Sequence, residues 1–174
     1  MATKKKAAKK AAPRAAKAKA PKKVKPIPDG YPPLMPTVVL ERCGEAIDFL
    51  KKVFGAKERT RYPMPDGKVA HAELAFGSAV LMLGDAMPPQ FPATPGRLTL
   101  YTRDVDATHR TAVAAGATSK EEPKDQFYGE RTARVIDPWG NEWYLMTHIE
   151  DVSPKEMQKR MANMPPPPGI KVPD

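Results

Sequence analysis

Hydrophobic and polar positions between residues 34 and 148 follow one pattern that occurs twice along the chain. Each copy has an apolar strand, an amphipathic helix that ends at a Gly-Ala pair, a turn at a glycine, an aromatic-Gly break and a second apolar strand. The four apolar strands are predicted at 34–41, 79–83, 97–102 and 142–148. The glycines recur at offsets of 61, 62 and 63 residues, as the pairs Gly55 and Gly116, Gly67 and Gly129, and Gly77 and Gly140. Self-similarity at such a fixed period indicates a duplicated supersecondary unit.

Local signals define the two predicted helices and the first hairpin. The first helix ends where Gly55 suits the position after the last turn, and its apolar residues at helical spacing are Ala46, Ile47, Leu50, Val53 and Phe54. The second helix is predicted from a cap at Asp104 to Ala115, followed by Gly116. Pro65-Asp66-Gly67 is a strong hairpin turn.

The strand after this turn, KVAHAELAF, alternates between two faces. One face is predicted to carry His71 and Glu73, and the other the apolar residues Ala70, Ala72, Leu74 and Phe76. A sheet that is apolar toward its helices and carries His and Glu on its other face is expected to curl around a polar-lined groove. We therefore predict an α+β fold of two tandem β-α-β-β-β modules, 33–84 and 96–150, which form a curved mixed sheet around a groove in a domain spanning 30–152.

The formal net charge of +9 comes from the N-terminal end of the chain. Residues 1–28 hold eleven Lys or Arg and no acidic residue, so the remainder has 18 basic against 20 acidic residues, or about −2. Repulsion among the lysines, several prolines and the lack of large apolar residues predict a disordered tail over 1–29. Such a tail is expected to contact DNA or RNA without sequence preference through residues 4–25, and a solubilising extension is the alternative.

The C-terminal end is predicted to form a short helix and a Pro-rich tail. Ser153-Pro154-Lys155-Glu156 is a capping box with proline at the first helical position, and the helix it begins is assigned to 153–164. Met157, Met161 and Met164 form a stripe that is expected to pack on the domain or on a partner subunit. Four prolines then end the helix and open the tail at 165–174.

Cysteine content and hydropathy bear on where the protein works. The single cysteine, Cys43, excludes an internal disulfide and favours a reducing compartment. No apolar run approaches the roughly 18 residues of a membrane span. The basic start also lacks the apolar region of a secretory signal. We therefore expect a cytoplasmic protein with no membrane contact. Its basic tail could associate it with the nucleoid.

Three segments resemble the vicinal oxygen chelate superfamily, which includes glyoxalase I, bleomycin-resistance proteins and extradiol dioxygenases. They are LERCGEAIDFLKKVFGAKE, PMPDGKVAHAEL and DQFYGERTARVIDPWGNEWYLMTHIEDVSPKEM, and within the superfamily they are most similar to the PhnB-like glyoxalase-like proteins. The resemblance covers roughly residues 33–160 and implies the same fold. It does not select a function, because the superfamily includes lyases, dioxygenases, epimerases and drug binders.

The resemblance also implies a metal site in which each module supplies two His, Glu or Gln ligands, one from its first strand and one from its last. The corresponding positions here hold none of these residues: they are Met35 to Val38, with Glu41 only at the far end of the strand, and Met82, Thr99 and Tyr144. A first-row divalent ion needs at least two or three deprotonated nitrogen or oxygen ligands. We therefore predict no metal site and no cofactor.

Eight residues are predicted to contact a ligand, namely His71, Glu73, Thr99, Gln126, Tyr128, Arg131, Tyr144 and His148. His71 and Glu73 are candidates for a general base and its orienting partner, or for a hydrogen-bonded structural pair. A displaced divalent-metal site that uses them with a residue of the second module is also open. Arg131 is expected to bind an anionic ligand or to form an ion pair with Asp137 or a glutamate, and His109 is expected to be solvated.

Two further residue types are assigned structural roles. Trp139 and Trp143 are expected to pack in the core or the turn, with stacking on an aromatic ligand as the alternative. Cys43 has no neighbouring base in the sequence and is expected to be a buried or half-buried bystander.

Three functions remain open from the sequence. We predict a metal-free protein that binds a small molecule in the groove, as bleomycin-resistance proteins do, and that forms a homodimer sharing the groove or the Met-rich helix. The alternative is a lyase, isomerase or dioxygenase that uses His71 and Glu73 or a rearranged metal site. A third hypothesis is a nucleic-acid-associated adaptor localised by its tail. The sequence leaves open whether any reaction is catalysed.

Overall fold

The computed structural model describes residues 24–164, and its elements follow the duplicated order that the sequence predicts. The first module consists of β1 (Thr37–Leu40), α1 (Cys43–Phe54), β2 (Lys57–Pro63), β3 (Val69–Phe76) and β4 (Ala79–Asp85). The second consists of β5 (Arg97–Tyr101), α2 (Val105–Ala114), β6 (Thr118–Asp125), β7 (Glu130–Ile136) and β8 (Glu142–His148), and α3 (Pro154–Ala162) follows it. Both predicted β-α-β-β-β modules are confirmed. Most of the predicted N-terminal tail and the whole Pro-rich tail lie outside the described residues.

Each module folds its strands into its own four-stranded mixed sheet, which we call sheet one and sheet two. The strand orders are β1-β4-β3-β2 and β5-β8-β7-β6, with the first strand parallel to the last and the other pairs antiparallel. Between residues 24 and 164 no strand of one sheet pairs with a strand of the other, so the predicted curved sheet consists of two separately hydrogen-bonded sheets. Strand β1 begins at Thr37 rather than at residue 34, since Pro36 has no N–H to donate.

The predicted turn and helix ends are confirmed. Gly55 has a φ of 67°, in the left-handed region that favours glycine, and its N–H donates to the carbonyl of Leu50 at the end of α1. Asp104 caps α2 through a hydrogen bond of 2.9 Å from the N–H of Ala107. Gly67, with a φ of 85°, forms the turn before β3.

The predicted alternation of β3 holds in the middle of the strand and fails at its start. Ala72 and Leu74 are buried in the core, as predicted. Ala70 is exposed, however, and Val69 is buried in its place. The register against β2 shifts at the same level, beside Tyr62, and this irregularity changes which residues face the core.

A side chain from the last strand of each module holds the N-terminus of that module's helix. In the first module the buried carboxylate of Asp85 accepts the N–H of Cys43 at 2.9 Å and the N–H of Val69 at 2.7 Å. In the second the hydroxyl of Thr147 accepts the N–H of Val105 at 3.0 Å. Asp85 and Thr147 are 62 residues apart, as are Cys43 and Val105. The two modules therefore have equivalent hydrogen bonds between the last strand and the helix N-terminus. The acceptor is a carboxylate in the first module and a hydroxyl in the second.

The helix-facing sides of both sheets share one hydrophobic core with α1 and α2. The ring centroids of Phe54 and Trp143 are 4.6 Å apart, and those of Phe49 and Trp139 are 5.6 Å apart. Among the described elements, backbone contact between the modules is confined to α1 and α2. The predicted structural role of the tryptophans is confirmed, because Trp143 is buried and Trp139 packs against the core.

Helix α3 begins at the predicted capping box, where the Ser153 hydroxyl accepts a backbone N–H of the first turn at 3.2 Å. Arg160 ties the helix to the domain through hydrogen bonds of 2.8 and 2.6 Å to the carboxylate of Glu150. Met161 and Met164 are exposed, so packing on a partner subunit stays a prediction for them. No helix between residues 24 and 164 is long and apolar enough to cross a membrane.

Candidate functional site

The sheet faces that point away from the helices carry most of the predicted ligand contacts, and we call them the open faces. On sheet one Thr37 lies beside Met82, and on sheet two Thr99 lies beside Tyr144. Thr37 and Thr99 are 62 residues apart, as are Met82 and Tyr144. The resemblance implies metal ligands at these positions. The duplication arranges them as two equivalent neighbouring pairs, one on each sheet.

The side chains at these positions do not fit a divalent metal ion. They offer alcohol and phenol groups and a thioether, whereas first-row divalent ions are held by imidazole, carboxylate or thiolate groups. Glu41 is exposed in the turn after β1. Within residues 24–164 no three His, Cys, Asp or Glu side chains are grouped so as to hold a metal. The displaced site that would use His71 and Glu73 therefore has no third ligand in this range.

Glu73 is the centre of a hydrogen-bonded cluster on the open face of sheet one. Its carboxylate is buried and accepts the Tyr31 hydroxyl at 3.1 Å on one oxygen and 3.0 Å on the other. His71 Nε2 lies 3.3 Å from Oε1, and Arg59 Nε lies 3.9 Å from Oε2. The structure thus brings the predicted pair of His71 and Glu73 together, within a network that also satisfies the carboxylate.

Glu130 is the centre of a second polar cluster, on the open face of sheet two. Its Oε1 accepts the Tyr101 hydroxyl at 3.2 Å and lies 3.0 Å from His148 Nδ1. Its Oε2 is buried and has no hydrogen-bond partner among the described residues. The hydrogen bond to Glu130, followed by one to Asp151, raises the pKa of His148 above its ordinary value.

Gln126 and Tyr128 lie beside this cluster, in the connection between β6 and β7. Gln126 Nε2 donates to the hydroxyl of Thr132 at 2.8 Å. Burial, followed by a hydrogen bond with Tyr144, raises the pKa of Tyr128 to about 12. Five of the eight predicted contacts therefore lie on or next to the open face of sheet two, namely Thr99, Gln126, Tyr128, Tyr144 and His148.

Arg131 does not reach that face, which corrects its predicted position beside the other ligand contacts. Its register partner is Thr147, whose hydroxyl bonds to α2, so Arg131 lies on the helix side of the sheet. The guanidinium makes two hydrogen bonds to Asp106, of 2.6 and 2.8 Å, and one of 2.7 Å to Asp125. Arg131 therefore forms an ion pair, as predicted, but its partners are Asp106 and Asp125. Asp137 instead accepts N–H groups of its own turn and of Trp143.

The prediction that His109 is solvated is wrong. The residue is only 4% exposed, and its Nε2 lies 2.9 Å from the Ser119 hydroxyl on β6. His109 follows Val105 by four residues and precedes Ala112 by three, and both of these are buried. Helical spacing therefore places the ring on the side of α2 that faces the core.

Two cavities lie along the sheets. The larger, of about 280 Å³, lies where the modules meet, and we call it the junction cavity. Its walls include Phe76 and Ala79 from the first module and Leu98, Thr99 and Tyr101 from the second. The smaller, of about 170 Å³, lies on sheet one between His71, Gly84, Met87 and Phe91, and we call it the sheet-one cavity.

The predicted ligand contacts did not include Tyr31, Tyr101 and Glu130. Tyr101 follows Thr99 by two residues on β5, so strand alternation was a usable signal for it. The face on which Glu130 lies follows only from the register of β7 against β8, where it pairs with His148. Tyr31 lies outside any helix or strand, so no periodic pattern indicates its position.

Comparisons with known proteins agree with this architecture. Residues 36–145 match the family described as Glyoxalase/Bleomycin resistance protein/Dioxygenase superfamily. The uncharacterized protein Rv0887c of Mycobacterium tuberculosis is 36% identical over 142 residues, which cover 76% of this chain and 84% of that protein. TioX from Micromonospora sp. ML1 is 27% identical with a TM-score of 0.54, over 67% of this chain and 99% of TioX. TnmS3, an antibiotic binding protein from Streptomyces sp. CB03234, is 27% identical with a TM-score of 0.52, over 64% of this chain and 91% of TnmS3.

Proposed function

Because the chain belongs to the Glyoxalase/Bleomycin resistance protein/Dioxygenase superfamily, we propose that it binds a small organic molecule in the junction cavity without a metal ion. The similarity to TnmS3, an antibiotic binding protein, supports a binding role. The hydroxyl groups on the open faces support it too, since those of Thr37, Thr99 and Tyr144 suit hydrogen bonding to an organic ligand better than metal coordination.

The junction cavity is the observation that carries this proposal. Its volume of about 280 Å³ is close to the lower end of the range for small-molecule sites. Leu98, Leu100 and Trp143 give it apolar walls, while Thr99 and Tyr101 bring hydroxyl groups. Such a lining favours a ligand with a largely apolar body and one or two hydrogen-bonding groups.

Replacing Ala79 by Trp tests the site. Ala79 lines the cavity from the exposed start of β4, so the larger side chain fills the cavity without displacing the core. A ligand identified by screening the wild type should bind at least about tenfold more weakly to this variant, as measured by isothermal titration calorimetry. Ala162→Trp, at an exposed position in α3, is the matched control. Equal affinities in the two variants would contradict the proposed site.

We also propose a homodimer. Within one chain the modules meet through their helices, which leaves both open faces without a covering element from the other module. A second copy can cover these faces, or the exposed Met161 and Met164 of α3. Sedimentation velocity at micromolar concentration should therefore give the mass of a dimer, and a monomer would contradict the proposal.

The basic N-terminal residues support a separate role in contacting DNA or RNA. Eleven Lys or Arg within residues 1–28, with no acidic residue, can neutralise phosphates and release counterions. We expect the full chain to bind duplex DNA without sequence preference and with an affinity that falls steeply with salt. Deletion of residues 1–28 should abolish this binding and leave the affinity for a small molecule unchanged. DNA binding that survives the deletion would contradict the role of the tail.

A further inference from the structure

Tyr31 attaches the segment before β1 to the open face of sheet one through its side chain. Residues 24–36 contain no helix or strand, and residues 24–30 are exposed. Tyr31 is half-buried, and among the described residues its hydroxyl makes the only side-chain hydrogen bonds between this segment and the rest of the domain. Tyr31 therefore makes the side-chain hydrogen bonds that hold this segment against the sheet.

The surroundings of the Tyr31 side chain have the features of a built site. Glu73 presents both carboxylate oxygens to the hydroxyl and is only 5% exposed, so it is a charged acceptor removed from water. The guanidinium carbon of Arg59 lies 4.3 Å from the centroid of the ring, within cation–π range. Arg59 has no pairing partner on β3, because the register of β2 shifts there, and such irregularities re-aim a side chain.

We propose that Glu73, Arg59 and His71 form a binding site for a hydroxylated aromatic molecule, which Tyr31 occupies as an internal ligand. The carboxylate accepts the hydroxyl of the ligand, and the guanidinium covers its ring. His71 also lines the sheet-one cavity of about 170 Å³, so an open space lies next to this site. This site is separate from the junction cavity and has its own ligand class.

Tyr31 acts as a tethered competitor at this site. It lies six residues before Thr37, where the chain enters β1, and a short tether holds a group at an effective concentration on the order of millimolar. An external phenol must displace it, so the site in the wild type has a lower affinity than its groups alone would give. Removal of the Tyr31 side chain should release that affinity.

Binding of 2-naphthol, a fluorescent phenol, to variants of the full chain tests this site. Tyr31→Ala is expected to bind 2-naphthol at least about tenfold more tightly than the wild type, in fluorescence titration. Tyr31→Phe should give a smaller gain, because its ring still fills the site without donating to Glu73. The methyl ether 2-methoxynaphthalene has no hydroxyl to donate and should gain much less from Tyr31→Ala. Thermal unfolding checks that each variant folds.

Two further variants in the Tyr31→Ala background locate the probe. Glu73→Gln should reduce the gain, because a neutral amide accepts the hydroxyl more weakly than a carboxylate, and Ala79→Trp, which fills the junction cavity, should leave it intact. Equal affinity in the wild type and Tyr31→Ala, or a gain that Glu73→Gln does not reduce, would overturn the inference. Loss through Ala79→Trp alone would also overturn it while supporting the junction cavity. The two proposals can fail separately. If 2-naphthol binding depends on Glu73 but screening finds no ligand that Ala79→Trp weakens, the inference is supported and the proposed function is contradicted.

Discussion

Replacing Asp85 by Asn should destabilise the protein more than replacing Thr147, its counterpart in the second module, by Val. The Asp85 carboxylate is 7% exposed and accepts the N–H groups of Cys43 and Val69. An amide keeps one oxygen but turns its NH₂ toward the other N–H, which removes one charge-assisted hydrogen bond, weakens the second and leaves a buried donor unpaired. At about 1.5–3 kcal/mol for each hydrogen bond to a charged group, the free energy of unfolding should fall by about 3–4 kcal/mol. Thr147→Val removes a hydroxyl that accepts the N–H of Val105 and donates to the carbonyl of Thr102, and the loss of these two neutral hydrogen bonds should total about 1–2 kcal/mol.

Urea unfolding of the two variants measures this difference directly. The slope of the free energy against urea should stay the same, because neither change alters the surface exposed on unfolding. At about 3 °C per kcal/mol for a domain of this size, the thermal midpoints of the variants should lie about 6 °C apart. A loss in Asp85→Asn no larger than in Thr147→Val would refute the reasoning that a buried carboxylate between two backbone donors needs both oxygens.

Three further outcomes follow from individual sites. Gly129→Ala should cost more than about 2 kcal/mol in urea unfolding, because φ is 89° and the added Cβ meets a backbone carbonyl, whereas Gly67→Ala, with open space around it, should cost about 1 kcal/mol. Glu130→Gln should lower the pKa of His148, as measured by NMR titration. Because this pKa is raised in the folded state, the His148–Glu130 pair stabilises the wild type fully at pH values below the ordinary pKa of about 6.5. This stabilisation is lost as the pH rises through the raised pKa. Burial raises the pKa of Cys43 to about 12, so native protein should react with iodoacetamide far more slowly than urea-unfolded protein, and equal rates would contradict its burial.

The fold was predictable because its turns and helix ends depend on local chemistry. Gly55 and Gly67 adopt positive φ values, which few other residues tolerate, so their recurrence in the second half exposed the duplication. Strands β2 (57–63) and β6 (118–125) were not located, since their sequences KERTRYP and TSKEEPKD are highly charged and mostly exposed. Their existence followed from the resemblance and from the need to complete each module.

The candidate site was predictable only where one strand carries it. The period of two residues was enough to bring His71 and Glu73 to one face. Arg131 was misplaced because a loop sequence does not fix which face the next strand presents, and a shift of one residue exchanges the faces. Tyr31 was out of reach, since its position depends on a tertiary contact with Glu73, 42 residues away.

Because every described strand pairs only within its own module, the two halves of the domain can be exchanged by recombination. A gene that recombines within the connection between residues 86 and 96 would inherit a complete sheet from each parent, because no ladder among the described strands crosses that point. What the new halves must match is the fit of α1 on α2 and of Phe49 and Phe54 on Trp139 and Trp143. The Glu73 cluster takes no part in that fit, so its chemistry can diverge while the other half and the common core stay unchanged.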